Sequence, residues 1–195
     1  MSSVAAPERR AREEISGPVM GMILFVASEA MFFAAFFGGY FTIKANAPAW
    51  RPPEVPHLKI EIAAILTVIL IASSVTVQMA LRSTRGGSSR RATIWLGTTI
   101  VLGICFLGLQ LFDYSELGFG LKDGPFGTLF YVMTGIHMAH VVGGVVFLSL
   151  VFGQATRGRL SPEHHDPLAA GAIYWDFVDV IWVCLFVVFY LLTPR

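Results

Sequence analysis

Five long apolar runs, separated by short polar or turn-forming stretches, dominate the chain. They cover residues 17–43, 62–81, 92–112, 127–153 and 169–193. A helix that crosses a hydrocarbon layer roughly 30 Å thick needs about 20 apolar residues, and every run supplies them. The pattern predicts an all-α polytopic membrane protein, a bundle of five transmembrane helices. The helices form one domain over residues 17–195, preceded by a polar segment at residues 1–16.

The stretches between the runs support this division. Four prolines lie between Ala47 and Pro56, where a helix cannot continue. Gly86-Gly87 marks a tight turn between the second and third runs. Gly118, Gly120, Gly124 and Pro125 precede the fourth run, and Ser161-Pro162 through Pro167 precede the fifth. No internal repeat is visible, and an odd number of spans gives no support to a simple inverted duplication. The first run is too long for the apolar core of a cleavable leader, so the N-terminus is expected to be retained.

Charge narrows the class further. Of 195 residues, 55% are hydrophobic and 14% charged, and the 14 basic and 13 acidic side chains nearly cancel. Such a balance offers nothing to hold a phosphate backbone, so no nucleic-acid partner is expected. Nine arginines lie on the face shared by the N-terminus and the second-third and fourth-fifth connections, against five basic residues on the other face. That asymmetry predicts a cytoplasmic N-terminus and an external C-terminus. Cys105 and Cys184 fall inside runs without CxxC spacing and are expected as small buried packing residues. No P-loop, nucleophile elbow or dinucleotide motif is present, and no catalytic residue is predicted.

Only Glu29, Asp176 and Asp179 place a formal charge inside a run. Burying a carboxyl in a bilayer costs at least ~2.5–3.5 kcal/mol on insertion scales, so each needs a reason. Glu29 is either a proton-exchanging or lipid-facing group, or a neutral carboxyl hydrogen-bonded to another helix. His137 and His140, three residues apart, share a face of the fourth run. Two histidines suggest haem or metal, but the other runs carry no histidine to complete such a site, and interhelical hydrogen bonding is the stronger reading. Asp176 and Asp179 are also three apart. They form either a paired-carboxylate site or one interfacial acid beside one buried, hydrogen-bonded acid. The position of Asp176 near the end of its run favours the second arrangement. Phe32, Phe33, Tyr40, Trp175 and Trp182 are candidates for lipid or partner contact. Gly17, Gly21, Gly38-Gly39, Gly135 and Gly143-Gly144 are candidates for close helix approach.

Taken in order, these segments resemble subunit III of the haem-copper cytochrome c oxidases. Ser28-Glu29-Ala30-Met31-Phe32-Phe33, followed by Tyr40-Phe41, is similar to the family's S-E-x-M-F-F helix. Glu54-Val55-Pro56 resembles the family's loop before the next helix, Leu109-Gln110 with Asp113-Tyr114 is similar to its L-Q-x-x-E-Y with Asp in place of Glu, and Asp123-Gly124-Pro125-Phe126-Gly127-Thr128 resembles its D-G-x-Y-G-S segment. Thr134-Gly135-Ile136-His137-Met138-Ala139-His140-Val141 resembles T-G-F-H-G-x-H-V. Tyr174-Trp175-Asp176-Phe177-Val178-Asp179-Val180-Ile181-Trp182 resembles Y-W-H-F-V-D-V-V-W, with Asp176 where the family carries histidine. The long family form has seven helices; five resemble a short bacterial form, with the lipid-holding cleft incomplete or closed by another chain.

The resemblance implies an accessory, non-redox subunit of a proton-pumping oxidase in aerobic respiration, in the bacterial plasma membrane. Haem and copper would belong to partner subunits, with none in this chain, and phospholipid would be a possible bound component. Subunit I and other oxidase subunits would be the partners. The chain would stabilise subunit I, support proton uptake and provide lipid and oxygen access. Glu29 would be the buried carboxyl of the first helix, His137 and His140 would bind neighbouring helices, and Asp179 would be the buried acid of the last. A quinol oxidase subunit or nitric-oxide-reductase accessory protein is the nearest alternative, and a freestanding proton or solute transporter is an alternative of another class.

Overall fold

The computed structural model describes residues 16–48, 50 and 58–192. The polar segment, apart from Ser16, and Glu54-Val55-Pro56 lie outside the described residues. Five helices account for the predicted spans: α1 Gly17–Asn46, α2 Ile60–Arg85, α3 Ser89–Glu116, α4 Gly124–Thr156 and α5 Asp166–Phe186. A π-helical turn, Val187–Leu191, continues α5. All five are long and apolar enough to cross a membrane, and the protein is an all-α polytopic bundle.

The helices outrun the apolar stretches at nearly every end because the polar interfacial zone extends a bilayer to about 40–45 Å. Lys44 and Asn46, Arg82 and Arg85, and Asp113 to Glu116 continue the backbone hydrogen bonding into that zone. Prolines in the first turns of α1, α4 and α5 give up an N–H that has no intrahelical partner there. The α2–α3 turn is tight because Gly87 takes φ +74°, and Ser88 N–H donates to the Ser83 carbonyl at 2.9 Å. Inside the helices, hydroxyls bond their own backbone, as Thr67 does to Ala63 and Thr99 to Trp95.

The arrangement places α5 at the centre. It packs on α1, α2 and α4, while α3 lies between α2 and α4. Helix α5 with its π turn is the most enclosed of the five and α1 the least. Only Phe33 and Tyr40 of α1 are fully enclosed. Tyr40 donates to the Val188 carbonyl at 3.3 Å and Lys44 to the Leu192 carbonyl at 3.1 Å, so α1 satisfies backbone oxygens that the π turn leaves open.

Three expectations change. Phe32 is exposed, but Phe33, Tyr40, Trp175 and Trp182 lie inside the bundle, because their rings and polar tips find partners there. Cys105 and Cys184 face outward rather than into the core; lipid is as apolar as the interior, so hydrophobicity does not separate the two faces. Of the glycines expected at close approaches, Gly144 serves one. Among the described residues, Gly17, Gly21, Gly38, Gly39 and Gly135 have no neighbour within 4 Å of where a Cβ would stand.

Candidate functional site

Three polar groups lie within the span region, and α5 touches each. The first joins α1 to α4. Glu29 Oε2 lies 3.0 Å from His140 Nε2, and His140 Nδ1 lies 2.8 Å from the Ile136 carbonyl. A carbonyl only accepts, so Nδ1 carries a hydrogen and donates it. Nε2 and Oε2 are therefore linked by one further proton, held on the carboxyl or on the imidazole. Phe33 presents an edge to the His140 ring at 5.0 Å and Phe32 lies 6.4 Å away. From α5, Tyr174 donates to the His140 carbonyl at 3.0 Å. Both partners keep about a fifth of their side-chain surface exposed (17% and 21%), so the pair borders the outer surface of the bundle.

The second group runs along the α2–α5 seam. Trp175 Nε1 donates to Ser73 Oγ at 2.8 Å, and Trp182 Nε1 donates to Thr67 Oγ1 at 3.0 Å. Between these indoles, Ser74 Oγ lies 2.9 Å from Asp176 Oδ1 and 2.5 Å from Asp179 Oδ2. Gln78 Nε2 donates to Asp176 Oδ2 at 2.6 Å. Asp176, like Asp179, is therefore hydrogen-bonded to α2. Helix α5 starts at Asp166, earlier than the apolar run, which carries Asp176 about 15 Å along its axis.

The third group is in the interior of α3, α4 and α5. His137 is fully buried, its ring 5.9 Å from Phe106 and 5.4 Å from Trp182, and neither ring nitrogen has a hydrogen-bond partner among the described residues. The interhelical hydrogen bond expected of His137 is therefore absent, and aromatic packing holds it instead. One turn along α3 from Phe106, Gln110 is fully buried with both amide atoms unpartnered. Tyr114 donates to Thr134 at 2.6 Å.

Among the described residues, no three His, Cys, Asp or Glu side chains gather closely enough to hold a metal ion. The site's chemistry consists of carboxyl and imidazole protons, hydrogen-bond donors and aromatic walls.

Comparison with known proteins assigns the frame in which these groups sit. The family model described as "Cytochrome c oxidase subunit III" matches residues 11–193. The chain belongs to the cytochrome c oxidase subunit III family. It is 35% identical to cytochrome c oxidase subunit 3 of Thermostichus vulcanus, over 90% of this chain and 87% of that protein. It is 34% identical to the Corynebacterium diphtheriae protein of the same name, over 96% and 94%. The Gallus gallus protein is 39% identical, over 87% of this chain and 67% of its own length.

Within this family member, the structure brings together four of the five polar residues singled out from the sequence, as two pairs: Glu29 with His140, and Asp176 with Asp179. His137 stands apart. Sequence reasoning missed Ser74, Gln78 and Tyr174. Ser74 and Gln78 are four apart in a run noted only for its lack of formal charge, and a polar stripe at helical spacing was the signal available.

Proposed function

We propose that this chain is the accessory, non-redox subunit III of a proton-pumping haem-copper cytochrome c oxidase. The observation that carries the reading is the Glu29–His140 link in a chain of this family: one shared proton, at the surface of the bundle, where α1 is otherwise nearly unburied. Helix α1 docks on α5 and α4, and its open side, with Met31, Phe32 and Phe41 exposed, suits contact with lipid and with subunit I. The chain itself contributes no redox centre, and haem and copper are assigned to partner subunits. His140 is engaged by Glu29 and Ile136, while the His137 nitrogens are enclosed by Phe106 and Trp182. Neither arrangement offers an open axial ligand.

In this reading the residues act on protons and on packing. Glu29 and His140 hold a proton within reach of the partner surface, and Tyr174 fixes the backbone that carries His140. Proton uptake support, stabilisation of subunit I and a lipid-lined oxygen route are the assigned roles. The face bearing Arg82, Arg85, Arg90, Arg91, Arg157 and Arg159 is assigned to the cytoplasm of a bacterial plasma membrane. The test is a strain lacking this chain. Its oxidase is expected to start turning over and then to lose activity with successive turnovers, with recovery when the chain is restored. Undiminished, sustained oxygen consumption without the chain would refute the reading.

A further inference from the structure

The Ser74 contacts contain a hydrogen count that does not close with ionised carboxyls. A serine hydroxyl carries one hydrogen, yet Ser74 Oγ lies within hydrogen-bond distance of Asp176 Oδ1 and Asp179 Oδ2. Two oxygen–oxygen contacts of this length need two hydrogens, so a carboxyl supplies the second. The other groups facing the pair are Gln78 of α2, already donating to Asp176, and Cys184, which lines the cavity beside Asp179. Glu29 of α1 and His140 of α4 are bonded to each other.

Two openings bracket the cluster. On the side of the arginine-bearing face, a cleft of about 880 Å³ is lined by Gln78, Arg85, His165 and Asp166, among others. Gln78 therefore borders the cleft and also binds Asp176. On the outer side, a cavity of about 400 Å³ is lined by Ser74, Asp176 and Asp179 together with the exposed Ile71, Val180 and Val183. Asp179 is only 7% exposed, and its Oδ1 has no hydrogen-bond partner although the residue lines this cavity.

We propose that Ser74, Asp176 and Asp179 form a proton-exchange site, which holds one proton between the two carboxyls and exchanges it through the cleft beside Gln78. In one state Asp176 Oδ1–H donates to Ser74 Oγ while Ser74 O–H donates to Asp179 Oδ2. In the other, Asp176 has given its proton to Ser74 and Ser74 has given its own to Asp179. One O–H bond forms and one breaks at each transfer, no electrons move, and the hydroxyl is unchanged. Both contacts are satisfied in both states, so the proton can occupy either end. Gln78 is a positioning residue that fixes the outer oxygen of Asp176. The inference stands independently of the oxidase role, since it concerns groups within this chain.

Infrared spectroscopy of the purified complex that contains the full chain tests it. The wild type is expected to show one protonated-carboxyl stretch per chain that D176N/D179N lacks and that shifts in deuterium oxide. Ser74→Ala is expected to keep that band and slow its exchange by about tenfold, the rate equivalent of one hydrogen bond. Identical carboxyl bands in the wild type and double variant, or unchanged exchange in Ser74→Ala, would overturn the proposal. A second measurement needs no variant: a hydrophobic carbodiimide, which reacts with proton-bearing carboxyls, followed by peptide mass mapping. One adduct per chain at Asp176 or Asp179 supports the site, and no adduct at either position overturns it.

Discussion

The Trp175 indole fills the space that a side chain at Gly144 would need. A Cβ built on Gly144 would stand 2.9 Å from Cε3 and Cζ3 of Trp175. The far edge of the same ring closes on α3, where a Cβ on Gly103 would lie 2.7 Å from Trp175 Cη2. One tryptophan of the central helix is therefore wedged between two neighbours and pinned to α2 through Ser73. Overpacking at such a wedge costs about 1–3 kcal/mol. Gly144→Ala and Gly103→Ala are each expected to lower the unfolding midpoint in detergent, and their effects should not add, because both displace one ring. Gly135→Ala and Gly108→Ala, with no neighbour within 4 Å, serve as controls and should be neutral or slightly stabilising.

Trp182 offers a cleaner separation of packing from hydrogen bonding. Its ring lies against Phe106 at 4.9 Å and against His137, while Nε1 bonds Thr67. Trp182→Phe removes the donor and keeps most of the ring, whereas Trp182→Ala opens the core at a cost of about 3–5 kcal/mol. Interhelical hydrogen bonds in membranes average about 0.6 kcal/mol, with a maximum near ~1.7. A double-mutant cycle of Trp182→Phe with Thr67→Val should return a coupling in that range, and a value near zero would dissolve the bond.

The Glu29–His140 link predicts a graded response. Glu29→Gln keeps a group that can donate to Nε2, while Glu29→Ala leaves a half-buried nitrogen unpaired at a cost of about 1–3 kcal/mol. Assembly of the complex should survive both substitutions better than sustained turnover does, with Glu29→Gln the milder in packing and equally deprived of the carboxyl. Counting turnovers before inactivation in each variant checks this. Normal lifetime in Glu29→Ala would leave the pair a purely structural role.

The π turn gives a local prediction. Tyr40→Phe removes the hydroxyl that reaches the Val188 carbonyl. Amide exchange across residues 187–191 should quicken, while protection across α2 and α3 stays at the wild-type level. Exchange measured by mass spectrometry resolves the two regions.

The five helices were legible because hydrocarbon thickness imposes a length on every apolar run, and charge was confined to the run ends. Their neighbours were not legible. Trp175 and Trp182 could have faced lipid as readily as the core, since both environments are apolar, and what turned them inward was a pair of hydroxyls on α2, Ser73 and Thr67. The partners of Asp176 are hidden for a related reason. Apolarity marks where the run begins but not where α5 begins, and Asp166-Pro167 starts the helix earlier. Glu29 and His140 were each visible as polar residues in apolar helices. Their pairing across 111 positions of chain depends on the α1–α4 approach, which no local pattern encodes.

Whether this chain works as an oxidase subunit can be read by purifying it from its native membrane in mild detergent. The readouts are the proteins that accompany it and the optical spectrum of the preparation. A haem-copper catalytic subunit is expected in equal amount, with a haem absorption that follows that subunit when the two are separated. A chain recovered without any haem-copper partner, or haem that remains with this chain after separation, would contradict it.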